Sequence, residues 1–206
     1  MTKRSKPLVR SAVELVAIVV VALGLALAIQ AYIVKPYEIP SGSMEPTLQI
    51  SQRILVDRIG MHFSSPQIGD IMVFHPPASE TCADPDQGAF ADGGASATAC
   101  DVAQTKESSQ TYVKRVVGLP GDRLSIRDGH VFRNGKREPD AYTIPCDGAG
   151  DCNFPTTITI PRDDYYMMGD NRPDSLDSRF WGPVPSQWLI GKAFLTYWPP
   201  DRIGFL

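Results

Sequence analysis

The feature that most constrains this chain is a long apolar stretch close to its N-terminal end. Residues 13–33 are apolar except for Glu14 near the start and Gln30 near the end. A helix of about 20 apolar residues is long enough to cross the hydrocarbon core of a bilayer. The sequence therefore predicts a transmembrane anchor within residues 1–34 and a separate domain at 35–206.

The charges that flank this stretch indicate its orientation. Four cations precede it, namely Lys3, Arg4, Lys6 and Arg10. Close after it lies only Lys35. Because the cytoplasmic flanks of membrane helices are enriched in Lys and Arg, we expect residues 1–10 in the cytoplasm. The chain from about residue 35 onward is then extracytoplasmic, and the lipid bilayer is a partner of the protein.

Two other interpretations of the apolar stretch stay open. A buried core helix is disfavoured because the segment is apolar on all faces and opens the chain. A cleavable secretory signal is a stronger alternative, since residues 26–28 and 29–31 (Ala-Leu-Ala and Ile-Gln-Ala) resemble small-residue cleavage sites. The run is longer than a usual signal core, which favours a retained anchor. The rest of the chain is exported in either case.

Export would place the cysteines in an oxidising compartment. The chain has four of them, Cys82, Cys100, Cys146 and Cys152. An even number in an oxidising compartment indicates two disulfides. Three connectivities are possible, of which 82–100 with 146–152 closes the shortest loops. No metal site is expected, because no Cys-x2-Cys pair exists and the histidines, His62, His75 and His130, are scattered.

Composition excludes two further classes of protein. With 43% hydrophobic and 21% charged residues, the chain has the balance of a globular protein rather than a disordered one. Its net charge of -3, without a basic block beyond the first ten residues, argues against nucleic-acid binding. The sequence does not specify an oligomeric state.

Beyond the apolar stretch, the patterns predict a mainly β domain with antiparallel sheets. Asp-Gly at 128–129 and Asn-Gly at 134–135 favour two successive hairpin turns, and so a three-stranded meander at about 123–138. Short β-branched, apolar or alternating runs predict further strands, at 53–57, 71–74, 112–117, 156–160 and 193–198. Residues 78–110 are rich in Ala, Gly, Ser and Asp, which predicts an inserted surface loop.

Three segments contain residues suited to catalysis, although each alone is weak evidence. Residues 40–48 (PSGSMEPTL) include two serines, but a serine hydroxyl needs a base to become a good nucleophile. Lys114 lies in an apolar strand where alternation sends it and Arg115 to opposite faces, so one of the two cations points to the more buried side. Residues 169–185 (GDNRPDSLDSRFWGPVP) predict a polar loop ordered by Asp–Arg contacts.

Taken together, these segments resemble a known family. Residues 40–48, 112–122 and 169–185 are similar, in order and wording, to the motifs of bacterial type I signal peptidases. Residues 52–58 and 68–74 (QRILVDR and IGDIMVF) look like two further motifs. The resemblance implies an antiparallel β catalytic domain, a bacterial inner-membrane location, signal peptides of exported precursors as substrates, and a site without metal or cofactor.

The resemblance also implies roles for individual residues. Ser43 corresponds to the nucleophile, Lys114 to its general base, and Ser41 to an oxyanion-hole hydroxyl beside the Ser43 N–H. Ser175 corresponds to the serine that hydrogen-bonds the lysine amine. Four charged residues correspond to supporting positions, Asp177, Arg179, Arg115 and Asp170. The shallow pockets for small substrate residues would involve Tyr37, Ile39, Met44, Leu48 and Val113.

The chain departs from the family motif where Pro173 and Asp174 replace the usual Asp-Asn, and where Glu45 replaces an apolar residue. Pro173 restricts the backbone and removes an N–H donor. Two other functions stay open: a specialised Ser/Lys maturation peptidase of a conjugative-transfer or secretion system, and an anchored, non-catalytic binding module. Cleavage of a generic precursor would separate the first from a signal peptidase, and retained function after Ser43→Ala would indicate the second.

Overall fold

The chain begins with a long helix that leads directly into the first strand. The structure, a computed structural model, describes residues 6–82, 98–146 and 152–206, without the side chains of 6–9, 26–32 and 62. Helix α1 covers Lys6–Tyr32. Among the residues that the structure describes, no helix is long and apolar enough to cross a membrane.

The described strands form two antiparallel sheets, as expected from the sequence. The strands of the larger sheet are β1 (Val34–Glu38), β2 (Arg53–Asp57), β3 (Ile71–Phe74), β4 (Tyr112–Gly118), β9 (Asp164–Met168), β10 (Val184–Pro185), β11 (Leu189–Trp198) and β12 (Gly204–Phe205). Their order in the sheet is β1-β2-β11-β3-β4-β9-β10, and β12 pairs with β11 at Leu195 and Thr196. A short helix, α2, covers Ser178–Trp181 between β9 and β10.

The smaller sheet has the order β7-β6-β5-β8 and contains the predicted meander. Its strands are β5 (Arg123–Arg127), β6 (His130–Arg133), β7 (Lys136–Arg137) and β8 (Phe154–Thr159). At both turns the two central residues have positive φ, including 51° at Asp128 and 52° at Asn134. Asn and Asp tolerate this conformation better than most side chains, and Gly adopts it freely, which is why these dipeptides form tight hairpins.

Strands β3 and β9 are buried on both faces, so the large sheet is covered on each side. One apolar cluster, which includes Ile39, Met44 and Leu48, lies beneath the segment that carries Ser43. Clusters around Phe74 and around Leu124 fill the space below α2 and below the small sheet. The Ser43 segment is therefore supported by packed core rather than held out on a free loop.

Both predicted disulfides are present. Cys82 pairs with Cys100 and Cys146 with Cys152, with Cα–Cα distances of 5.6 Å and 6.2 Å. Of the predicted insert at 78–110, residues 83–97 lie outside the described part of the chain. Its two described ends run together, because Ala78 N donates to Lys106 O and Ser108 N donates to Pro76 O.

Candidate active site

The segment that carries Ser43 leaves β1 and turns tightly over the core. Residues Gly42–Met44 form a single 3-10 turn. Met44 and Leu48 are almost completely buried beneath it, at 1% and 0% exposure, and hold the turn against the sheet. Ser43 stays at the surface side of this turn, with its carbonyl oxygen turned toward the loop at 169–171.

Lys114 reaches the Ser43 hydroxyl from the strand beside it. It lies on β4 opposite Met72 of β3 and is only 4% exposed. Lys114 Nζ is 2.5 Å from Ser43 Oγ, a hydrogen-bonding contact. Lys114 thus lies on the face that carries the serine, and strand alternation sends its neighbour Arg115 to the opposite face.

Burial changes the protonation of this lysine. Loss of hydration, the largest effect, lowers the pKa of Lys114 from 10.5 to about 8. Asp177 raises this pKa and Arg179 lowers it, so the loop behind the lysine has partly cancelling charges. Within the described part of the chain, no carboxylate forms an ion pair with Lys114. A neutral amine is therefore accessible near neutral pH.

Arg115 faces the other side of the strand and is fully paired. Its Nε and one terminal nitrogen donate to Asp170 at 2.8 Å and 2.6 Å. The guanidinium also lies over the Tyr142 ring, 4.1 Å from its centroid, and Thr47 Oγ1 donates to Asp170 at 2.6 Å. Burial lowers the pKa of Arg115, but the hydrogen bonds and charge of Asp170 outweigh it, so the pKa is raised.

A second buried pair braces the loop behind Lys114. Arg179 donates to both carboxylate oxygens of Asp177, at 2.8 Å and 2.9 Å, and both side chains are 0% exposed. Gly169 N also donates to Asp177. Burial raises the pKa of Asp177, but Arg179 and the Gly169 amide lower it by more, so the net shift of this pKa is downward.

The expected hydrogen bond between Ser175 and the lysine amine is not what the structure shows. Ser175 Oγ donates to Asp177 Oδ2 at 2.8 Å. It lies close to Gly169, where an added Cβ would overlap both the Ser175 hydroxyl and the Ser43 carbonyl oxygen. The bond to Asp177 makes Ser175 part of the network that braces this loop.

Two further residues hold this loop in place, and one of them, Asn171, connects it to Ser43. Asn171 N donates to Ser43 O at 3.1 Å, and Asn171 Nδ2 donates to Gly42 O at 3.2 Å. Arg172 is buried, and its Nε donates to Gly169 O at 3.0 Å. These bonds are to backbone carbonyls, so no residue pattern in the Ser43 segment indicates them.

Pro173 is accommodated without disrupting this arrangement. Residues Arg172–Asp174 form a 3-10 turn with the proline as its second residue, where a backbone donor is not required. Pro173 is exposed, and Ser175 and Asp177 keep their bonded positions after it.

A cleft of about 510 Å³ opens onto Ser43 and Lys114. Three of the predicted pocket residues line it, Ile39, Met44 and Val113. Two do not line it: Leu48 is completely buried in the core below, and the half-buried Tyr37 packs against the same cluster, so their pocket roles stay predictions. Ser41 is at the rim, with its hydroxyl oxygen 3.4 Å from Ser43 Oγ.

Neither of the two histidines whose side chains the structure describes lines this cleft. His75 Nδ1 contacts Gln110 O at 2.8 Å, and His130 Nδ1 contacts Asp140 at 2.5 Å. In the part of the chain that the structure describes, no group of three or more His, Cys, Asp or Glu side chains is arranged to hold a metal ion.

Comparison with known proteins agrees with the geometry. A family model described as "Signal peptidase, peptidase S26" matches residues 12–198. A probable signal peptidase I-2 of Synechocystis is 33% identical, covering 99% of this chain and 81% of that protein. Signal peptidase I of Leptolyngbya laminosa is 35% identical, covering 88% and 77%.

A solved signal peptidase I from Enterococcus faecalis is 24% identical and covers 63% of this chain and 97% of its own, with a TM-score of 0.38. The family match spans most of the chain, and both of the relatives named above exceed 30% identity over most of both lengths. The protein is a serine peptidase that belongs to the signal peptidase family, peptidase S26.

Proposed function

We propose that this protein is a membrane-anchored endopeptidase that removes N-terminal signal peptides from exported precursors, with Ser43 as nucleophile and Lys114 as general base. The relatives named signal peptidase I support the reaction. The observation that carries the assignment of residues is the 2.5 Å contact between Lys114 Nζ and Ser43 Oγ, at the floor of an open cleft.

The lowered pKa makes the lysine a competent base. With a pKa of about 8, about one Lys114 amine in ten is neutral at pH 7. At the ordinary value of 10.5, only about one in 3,000 would be neutral. Burial therefore raises the population of the reactive form by about 300-fold.

In the acylation step, Ser43 Oγ attacks the carbonyl carbon of the scissile bond while Lys114 Nζ accepts the hydroxyl proton. The carbonyl oxygen becomes an oxyanion, for which the Ser43 N–H and the Ser41 hydroxyl are the proposed donors. Asn171 holds the carbonyls of Gly42 and Ser43, which orients the peptide units of this turn.

Collapse of the intermediate breaks the C–N bond, and the Lys114 ammonium gives its proton to the leaving amine. The signal peptide then remains as an ester on Ser43. A water molecule, deprotonated by the neutral Lys114, attacks this ester and releases the carboxylate. Lys114 returns the proton to Ser43 Oγ, so the residues end the cycle as they began it.

The substrate-binding assignment follows from the shape and lining of the cleft. Ile39, Met44 and Val113 form shallow apolar walls close to Ser43, which suit small side chains on an extended peptide. Long side chains would meet the core-packed Met44, whose exposure is only 1%. This supports precursors with small residues before the scissile bond.

The anchor assignment rests on the sequence of residues 13–33 and its cationic flank. The described apolar side chains between Val13 and Leu25 are 48–66% exposed, so no other part of the described chain covers them. Helix α1 joins β1 within two residues, which keeps the catalytic domain at 35–206 close to the bilayer. We place residues 1–10 in the cytoplasm of a bacterial cell and the catalytic domain across the inner membrane.

The test is cleavage of a generic exported precursor by the full-length chain in lipid vesicles. Ser43→Ala should abolish cleavage, and Ser64→Ala is the matched control, because Ser64 is exposed and its hydroxyl donates only to a nearby carbonyl. Cleavage should occur at a single bond that follows small residues. If Ser43→Ala cleaves the precursor as fast as wild type, the proposed nucleophile is wrong.

A further inference from the structure

The substrate cleft contains a negative charge that the proposed chemistry does not use. Asp174 ends the turn Arg172–Asp174 and lines the cleft together with Ser43 and Lys114. Its side chain is exposed, and no ion pair joins it to another described residue. The other charged residue in the lining is Lys114.

The net charge of the cleft depends on whether Lys114 is protonated. Lys114 acts as a base only when it is neutral, and in that state Asp174 is the one charge left in the described lining. The remaining lining is apolar or uncharged, as at Ile39, Gln110 and Leu176. A peptide in the cleft therefore meets a carboxylate at the rim of a largely apolar surface.

We infer that Asp174 is a specificity-determining residue that favours substrates with a lysine or arginine beside the scissile bond and disfavours those with an acidic residue there. The inference rests on the proposed function, since it concerns the substrate of that same cleft. A cleft of about 510 Å³ is roughly 10 Å across, the length of about three extended residues. The selected side chain thus belongs to a residue within about three positions of the bond that is cut.

The expected effect is moderate because Asp174 is exposed. Ion pairs at exposed positions are weak and are screened by salt. We expect an attraction that raises kcat/KM for a lysine-containing peptide by about threefold, and a similar penalty for a glutamate-containing peptide. The ratio between the two peptides should then be about tenfold in wild type at low ionic strength.

The experiment uses the full-length chain in vesicles and one neutral, cleavable peptide whose flanking positions are replaced in turn by Lys, Gln or Glu. Wild type is compared with Asp174→Asn, Asp174→Lys and the control Asp201→Asn, an exposed carboxylate outside the cleft. Assays at pH 9 keep Lys114 mostly neutral in every variant while the peptide lysine stays charged. Effects on the base are thereby separated from effects on substrate charge.

The quantity compared is the ratio of kcat/KM for the lysine peptide to kcat/KM for the glutamate peptide. At one flanking position, Asp174→Asn should reduce this ratio to near one, and Asp174→Lys should invert it. Asp201→Asn should retain the wild-type ratio, and about 1 M salt should abolish it. If the ratio is the same in wild type and Asp174→Asn at every position, the inference is wrong while the proposed function stands. If the peptide is cleaved equally by Ser43→Ala, the proposed function itself has failed.

Discussion

The two faces of strand β4 hold neighbouring cations in opposite electrostatic environments. On one face, Lys114 is buried without an ion-pair partner among the described residues, and burial lowers its pKa to about 8. On the other face, Arg115 donates two hydrogen bonds to Asp170, which raise its pKa. Adjacent residues of like charge are thus tuned in opposite directions.

The difference between Lys114 and Arg115 depends on which cations the nearby carboxylates bind. Asp170 and Asp177 belong to one loop, and each is held by an arginine through two hydrogen bonds. Neither carboxylate forms an ion pair with Lys114, which would keep the amine protonated. Arg179 holds the carboxylate of Asp177 and itself lowers the pKa of Lys114, which favours the neutral amine that the proposed mechanism requires.

Exchanging the type of cation on each face should have the largest effect. Lys114→Arg keeps the charge but cannot supply a neutral base, because arginine stays protonated. We expect kcat/KM to fall by roughly 10²–10⁴-fold, the usual contribution of a general base. Arg115→Lys is the matched control and should lose about tenfold or less, since a cation remains beside Asp170. Precursor cleavage in vesicles measures both, and equal losses would contradict the comparison.

Removing a carboxylate from the paired face should destabilise the fold. Asp170→Asn leaves Arg115 buried without its counterion, and breaking such a pair costs about 3–5 kcal/mol. The free energy of unfolding, measured by denaturant titration in detergent, should fall by that amount. Asp201→Asn, at an exposed site, should change it by less than about 0.5 kcal/mol. A change below about 1 kcal/mol in Asp170→Asn would show that the pair is not structural.

Removing Lys114, the cation without an ion-pair partner among the described residues, should instead increase the free energy of unfolding. Lys114→Met replaces a poorly solvated amine by an apolar side chain and should raise the free energy of unfolding by at most about 3 kcal/mol near pH 7. The unfolded chain holds the lysine proton up to about pH 10.5, whereas the folded protein releases it near pH 8. The free energy of unfolding of the wild type therefore rises with pH between these values. The difference in this free energy between Lys114→Met and wild type becomes smaller over the same range.

The same denaturant titrations, repeated from pH 7 to pH 10.5, measure this gap directly. A Lys114→Met protein that is less stable than wild type at pH 7 would contradict the comparison, because it would mean that the amine contributes favourable contacts as a cation.

The strands that the sequence predicted are those whose pattern alternates or ends at turn residues. The strands that it did not predict lack one of these signals. Strand β1 contains Pro36 and two charged residues and lies at the sheet edge, a position where proline is tolerated. Strand β9 is buried at all five positions, so it shows no alternation to distinguish its faces. Strand β11 also begins at Leu189, four residues before the predicted start.

The site was predictable only in part. The roles of Ser43 and Lys114 were predicted from the family resemblance of their motifs, and strand alternation predicted only that either Lys114 or Arg115 faces inward. Periodicity could not decide which, because that depends on the register of β4 against β3, set by pairing of Met72 with Lys114. The Asn171 contacts and the Ser175–Asp177 bond join loops distant in sequence, and local patterns do not encode such contacts.

The most direct test of the central claim is the pH dependence of kcat/KM for the wild-type enzyme, which reports the protonation of groups in the free enzyme. If neutral Lys114 is the base, kcat/KM should rise about tenfold per pH unit below the midpoint and level off above an apparent pKa of about 8. The substrate should be a peptide without titratable side chains. A midpoint near 6.5, typical of histidine, or a rise that continues past pH 10 would contradict the account.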